Sequence, residues 1–330
     1  MSLSSAVPDG PVDSMTQGGT FLHTFEIAAD FGDLNGEAPV WDAATSSLYW
    51  TDCVGFRFYR YDSRTGTSEI LRNEFEVTGF ALNEGGGFVI ANTKGIWFWD
   101  GAARMHLLAA EVTGAVCQMN DAAADPRGRF LAGSCFYDPA GNYQFGCLFR
   151  VETDGQVAIL DDGFQLANGI GFSPDGTKLY FTDSAARIIY RYDYDLQTGD
   201  ARNRVALVRV PLDEGVPDGL AVDAEGFLWS AQWYGACVVR YDPDGKIERR
   251  ILTPAKQTSS VAFGGVDLDE LYITSASQHF PAPLIPPGYD PTSGCIGGPL
   301  YRLKGAIQGK RQFKTQLLRP PLIQERFGWH

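Results

Sequence analysis

Glu37, Asn120, Asn168 and Asp218 stand at one recurring place in a repeated sequence unit, and each ends in a side-chain oxygen. Two carboxylates and two neutral amides form a donor set for a hard divalent cation that keeps open positions for water. Calcium suits this set best, and magnesium, manganese and zinc are compatible with it. A cation held this way polarises a carbonyl and lowers the pKa of a bound water, which is the chemistry of hydrolysis. Asp218 is the candidate to orient or deprotonate that water while also touching the metal. Singly, an Asn or Asp at such a place caps a strand end or binds ordered water. Together on one ring, the four argue for a metal.

The ring follows from the elements that carry these residues. An alternating aromatic and basic segment appears as FRFYRYD (56–62), GIWFWD (95–100), GCLFRVE (146–152), RIIYRYD (187–193), ACVVRYD (236–242) and GPLYRLK (298–304). Alternation of this kind is strand periodicity. A hairpin precedes each, as in DAATSSLYWTD (42–52), SPDGTKLYFTD (173–183) and DAEGFLWSAQ (223–232), with turn residues at its bend. A strand of small or apolar residues enters each hairpin, and a fourth strand leaves each unit, from SEILR in the first to KTQLL in the last. Four strands over roughly forty to fifty residues make a propeller blade. The fold class is therefore all-β, a six-bladed β-propeller with four-stranded antiparallel blades. Residues 1–18 are expected to form a flexible leader and residues 19–330 a single propeller domain. TFLHTFEI (20–27) is expected to complete the last blade or to pair beside KTQLL. Counting back five residues from the hairpin turns at Asp42, Asn83, Asp125, Ser173, Asp223 and Gly264 gives Glu37, Thr78, Asn120, Asn168, Asp218 and Ser259. Equivalent positions in the blades circle the axis at one mouth of the channel.

Composition narrows the partners. The net charge of −13 repels nucleic-acid phosphate and anionic membranes, so neither is an expected partner. No apolar run is long enough to span a membrane, and the N-terminus lacks the features of a signal peptide. A cytoplasmic monomer or small homo-oligomer is the expectation. The six cysteines form no CxxC pair and read as free thiols, although Cys135 and Cys147 flank a hairpin and could pair. The four histidines show no metal-ligand spacing.

Five segments together, GEAPVWD (36–42), NDAAADPRGRFLAGS (120–134), NGIGFSPDGTKLYFTDS (168–184), YDYDLQTG (192–199) and PDGLAVDAEGFLWSAQ (217–232), resemble the regucalcin/gluconolactonase family, also called the senescence-marker family. The resemblance runs from about residue 36 to 304. It implies a six-bladed propeller with a divalent metal in its channel, and hydrolysis of sugar lactones as the usual activity. By that resemblance the metal ligands are Glu37, Asn168 and Asp218, and Asn120 binds substrate or joins the metal shell. Where lactonases of the family often carry Arg, two residues before the Asn-Asp pair, this sequence has Gln118. A family acid that contacts sugar hydroxyls falls near Asp138.

The pocket walls are expected from loops at the metal mouth: Tyr137 and Tyr143 in CFYDPAGNYQFG, Trp233 and Tyr234 after the second strand of blade 5, and the Pro-rich segment 277–298 with His279. Asp121 is expected to be structural, since regular alternation points its side chain away from that of Asn120. Asp52 and Asp183 are expected to bind backbone between blades. No GxSxG motif is present, so a serine nucleophile is not expected. The reading is a divalent-metal-dependent lactonase acting on a small lactone or ester. Alternatives are a metal-dependent aryl esterase or phosphotriesterase, a non-enzymatic calcium-binding propeller, and a metal-free propeller resembling strictosidine synthase, against which the acidic ring argues.

Overall fold

The computed structural model describes residues 12–13, 23–110, 115, 118–135, 144–279, 284–305 and 307–318. Among them there is no helix, and every regular element is a strand. The strands form six antiparallel sheets arranged as a six-bladed propeller.

The inner strands of blades 1 to 6 are Gly36–Asp42, Gly79–Leu82, Met119–Ala124, Ala167–Phe172, Val216–Val222 and Thr258–Gly264. They are rich in Gly and Ala because they converge on the channel, where bulk is excluded. The second and third strands carry the large apolar residues that fill the space between blades. Trp50, Tyr59, Phe130, Phe149, Trp229 and Tyr272 are fully buried there. The fourth strands face outward: in Ala201–Arg209 most residues are exposed.

In four blades the first residue of the hairpin turn, Asp42, Asp125, Ser173 or Asp223, holds the turn with its side chain. Asp125 Oδ1 accepts the backbone N–H of Arg127 and of Arg129, both at 2.8 Å, and Asp223 Oδ1 accepts those of Glu225 and Phe227, both at 2.9 Å. These Asx-type turns repeat from blade to blade, which is why spacing counted from them is constant.

Ring closure departs in part from the sequence expectation. Thr24–Ala29 pairs antiparallel with Leu300–Leu303, with Phe25 opposite Leu303 and Ile27 opposite Tyr301. The N-terminal strand thus completes blade 6, and Val12–Asp13 pairs on its outer side. KTQLL is not the fourth strand of that blade. It belongs to a tail, residues 307–318, that crosses the channel end near the hairpin turns and bridges Asn83 through Thr315 and Asp223 through Gly309. An alternating apolar pattern satisfies a floor segment as well as a strand, and the outer place was already filled from the N-terminus.

Close approach of the inner strands has a steric condition. A Cβ at Gly169 would sit 2.6 Å from the carbonyl oxygen of Asp218, and one at Gly219 would sit 2.0 Å from Ser260 Oγ and 2.8 Å from its Cα. Only a glycine lets blades 4, 5 and 6 meet here. Gly219→Ala is expected to destabilise the fold by about 1–3 kcal/mol, as overpacking does. Ser260→Gly in the same chain should restore part of the loss. Urea unfolding of the single and double variants measures both.

Candidate functional site

The six positions counted from the turns do lie at one end of the inner strands, but they do not behave alike. Thr78 Oγ1 donates to backbone carbonyls, those of Ala91 at 3.0 Å and Met119 at 2.9 Å. Ser259 Oγ is engaged with the Gly36 carbonyl and with Thr274 Oγ1. Both hydroxyls tie one blade to another. The amides of Asn120 and Asn168 divide their work. Asn120 Nδ2 donates to the Ala167 carbonyl at 2.8 Å, and Asn168 Nδ2 donates to Ser184 Oγ at 3.1 Å. Each amide oxygen is thereby left for the channel. Asp218 is 5% exposed, and its Oδ1 is buried without a hydrogen-bond partner.

A local irregularity aims these side chains. In five blades the pairing between the first and second strands slips at the donor position: between Glu37 and Val40, Met119 and Asp121, Asn168 and Ile170, Pro217 and Leu220, and Thr258 and Ser260. A bulge inserts a residue and re-aims its neighbours. Ala38, inside the first of these, has φ of +49°, a left-handed conformation.

The bulge corrects the expectation for Asp121. Regular alternation would turn it away from the donors. Instead its charge raises the proton affinity of both Glu37 and Asp218. Burial pushes Asp121 itself up to about 7, against the hydrogen bond it accepts from the Ala122 N–H. Burial is also the main cause that holds Glu37 well above the usual carboxylate range, followed by the charges of Asp218 and Asp121. Asp218 is raised by burial first and by Asp121 second. Three carboxylates therefore share the mouth without a counter-ion among the described residues. The signal that could have found Asp121 is its place next to a donor in a strand where the other blades are irregular too.

Asp52 and Asp183 hold the segments that feed the donor strands. Asp52 accepts the N–H groups of Leu34 and Asn35, both at 2.9 Å, three and two residues before Glu37. Asp183 accepts those of Gln165 and Leu166, both at 3.0 Å, just before Asn168. They bind backbone where one blade passes into the next, as the sequence reading expects.

The donor set fits a hard cation. It offers an orphaned buried carboxylate oxygen, two amide oxygens and a second carboxylate whose charge is unfavourable as it stands. Among the described residues no group of three or more His, Cys, Asp and Glu is placed to hold a metal, so any site here depends on the asparagines.

The substrate-side residues are more scattered. Tyr137, Tyr143 and Asp138 lie outside the described residues. Gln118 is half-buried beside the donor strand of blade 3, its carbonyl accepting the Cys135 N–H at 3.0 Å. Trp233 is buried in an apolar cluster with Val216, Tyr234, Ala276, Leu284 and Tyr289, its ring edge-on to Tyr234. His279 is exposed, with its ring 6.4 Å from that of Tyr289. No disulfide links Cys135 to Cys147 among the described residues, so the pairing considered from the sequence is not made.

The sequence reading passed over Arg187. Its guanidinium is buried and donates to the carbonyls of Pro211, Glu214 and Gly215, and to that of Leu284 in the long loop, at 2.9–3.2 Å. It joins the segment leading to Asp218 to the loop above the mouth. Ser277 and Gln278, at the foot of that loop, donate to the carbonyls of Asp33 and Leu34, ahead of Glu37.

Residues 35–277 match the family model described as SMP-30/Gluconolactonase/LRE-like region. The chain belongs to this family. It is 37% identical over 284 residues to Pentonolactonase XacC of Haloferax volcanii, covering 86% of this chain and 94% of the relative. It is 36% identical over 276 residues to a 6-deoxy-6-sulfogluconolactonase of Pseudomonas putida, covering 83% and 93%. The crystal structure of a calcium-binding protein, regucalcin, from Agrobacterium tumefaciens superposes with a TM-score of 0.76 at 26% identity, over 89% of this chain and 96% of that one.

Arg187→Met would leave four carbonyls without their donor. It is expected to cost about 2–4 kcal/mol, since each stranded buried acceptor loses its full hydrogen-bond compensation. Arg187→Lys should recover part of the loss. Urea unfolding measures the loss, and limited proteolysis after residue 284 should show the loop loosened in the Met variant.

Proposed function

We propose that this protein is a divalent-metal-dependent lactonase whose reaction takes place at Glu37, Asn168 and Asp218, with Asn120 beside them. The observation that carries the reading is the buried Asp218 Oδ1 without a partner, set among carboxylates of raised proton affinity and two amide oxygens. The names of the two lactonase relatives support a sugar lactone as substrate class, and the calcium-binding neighbour supports calcium as the ion.

Glu37, Asn168 and Asp218 would hold the cation, with Asn120 joining them or binding substrate; when bound, it supplies Lewis-acid polarisation of the lactone carbonyl and a more acidic water. Asp218, whose buried Oδ1 has no hydrogen-bond partner among the described residues, accepts the proton of the attacking water. The water oxygen adds to the carbonyl carbon. The ring oxygen then leaves and takes up a proton, and the product is a hydroxy carboxylate. Asn120 is anchored through its Nδ2, so its oxygen keeps a fixed position from which to orient the substrate or complete the metal shell. Gln118, Tyr137, Asp138, Trp233 and His279 are the proposed substrate-side residues. Burial of Trp233 beneath the loop gives it a supporting place in the wall.

A second reading, an aryl ester or phosphotriester as substrate, draws on Gln118. A neutral amide cannot make the charged fork that arginine offers a polyol.

Two experiments test these readings. Glu37→Gln and Asp218→Asn should each lose the rise in melting temperature that calcium produces in the parent, and Asp218→Asn should lower kcat/KM on an aldonolactone by about 10²–10⁴-fold. Full metal occupancy in both variants, measured by elemental analysis, would remove the ligand assignment. Assayed by pH-stat across aldonolactones, aliphatic lactones, aryl esters and phosphotriesters, Gln118→Arg should improve turnover of aldonolactones alone, by about tenfold if one charge-assisted hydrogen bond is gained. An unchanged ranking would show that Gln118 does not select the substrate.

A further inference from the structure

The tail that crosses the channel is fastened to several blades. Thr315 donates its N–H to the Leu82 carbonyl at 2.8 Å, and Gln316 donates to that of Gly128 at 2.7 Å. Lys314 Nζ pairs with Asp42 at 2.7 Å. Gly309 packs so tightly on Phe263 that a Cβ there would lie 2.1 Å from the ring. This anchoring fixes the direction in which the next residue, Lys310, leaves the backbone.

Above the tail and below the donors lies a cavity of about 70 Å³. Its walls include Val40, Phe80, Ile170, Leu220 and Phe263, and its floor is Lys310, Gln312 and Phe313. Gln312 is already engaged: its Oε1 accepts the Trp41 N–H at 2.8 Å and its Nε2 donates to the Pro39 carbonyl at 3.2 Å. Lys310 is then the one lining side chain with polar capacity to offer. Its Nζ stands 4.5 Å from the centre of the Phe313 ring, and among the described residues no carboxylate or carbonyl pairs with it. Lys314, four residues on, has its aspartate. Burial pulls the Lys310 amine down to about 8, which still leaves most molecules charged at neutral pH. Lys310 is half-buried, and an ammonium that meets a ring face and no anion among the described residues is incomplete.

We propose that this lower channel is a binding site for a small monocarboxylate, its charge on Lys310 Nζ and its short apolar body against Val40, Ile170, Leu220 and Phe263. One ammonium matches one charge, so a divalent anion would remain half compensated. No second charged side chain lines the cavity, and the volume admits a few heavy atoms beyond the carboxylate. The site is separate from the donor ring and does not depend on the lactonase reading.

The experiment uses the full chain with 15N-labelled lysine. The titration midpoint of Lys310 Nζ is followed by NMR in sodium propionate and in sodium chloride at matched ionic strength. Propionate should raise the midpoint by about one unit, a tenfold gain in proton affinity, because an anion that binds the charged amine favours protonation. Chloride should leave it in place. Calorimetry should show saturable propionate binding that disappears in Lys310→Gln, with circular dichroism confirming that the variant is folded. A midpoint that neither salt moves from its value at low salt would overturn the proposal and describe an amine satisfied by water alone. A midpoint raised equally by both salts would overturn the carboxylate in favour of any monovalent anion. Propionate binding retained by Lys310→Gln would place the anion elsewhere.

Discussion

The channel mouth depends on hydrogen bonds that pass from one blade to the next. Thr51 Oγ1 reaches the Val77 carbonyl, Thr78 that of Met119, Asn120 that of Ala167 and Ser259 that of Gly36. Between blades 4 and 6 bare glycine backbone does the same work by contact. Residue type at each link decides what remains for chemistry. A hydroxyl has a single atom, and once it lies against a neighbour's carbonyl it is no longer free to face the axis. An amide separates its donor from its acceptor. Asn120 can therefore join the blades with nitrogen and present oxygen to the channel, which Thr78 and Ser259 cannot. The ring that holds the propeller together and the ring that could hold a cation are one set of positions filled with different side chains.

The three carboxylates run against the stability of this arrangement. Glu37, Asp121 and Asp218 are each raised by burial, and their charges oppose one another. A fold does not keep such a group unless the surroundings over-determine it. Those surroundings are visible here: bulges that admit no regular alternative register, Asp52 and Asp183 gripping the feeding segments, and Arg187 holding the approach to Asp218. Strain at a site and rigidity around it are two sides of one construction. A bound divalent cation would turn the repulsion into coordination, so ligand affinity and fold stability draw on the same charges.

Much of this was legible in the sequence because the turns are chemical landmarks. An Asp, Asn or Ser that closes its own hairpin must stand at the bend, so counting five residues back from it finds Glu37, Asn168 and Asp218 without knowledge of the fold. The method fails where regularity fails. Asp121 was expected to face away because alternation was carried through a position where the strand is irregular. KTQLL was expected to be a strand because apolar alternation does not say what it packs against. Trp233 looked like an open pocket wall, and only the position of the long loop above it shows the ring covered. Arg187 carried no signal, since a lone arginine after a turn is ordinary until four carbonyls converge on it.

The two ends of the channel differ in what they leave unbalanced. Among the described residues the mouth holds carboxyl groups without a cation, and below the donors there is an amine without an anion. The repeat explains the first end, because every blade contributes an equivalent position. It cannot explain the second, since the tail enters once and breaks the six-fold pattern. The tail also closes the floor, which leaves the mouth as the approach for a substrate of the proposed reaction. Selectivity must then come from what stands around the mouth. The blades themselves offer similar backbone there, so under the proposed function selectivity would rest on single side chains such as Gln118 and on the loop whose foot is tied to residues 33 and 34. Under the proposed function, a neutral amide beside the donors and a loop anchored just ahead of the Glu37 strand would place substrate choice and metal geometry on the same few residues, so that a change in one would be transmitted to the other.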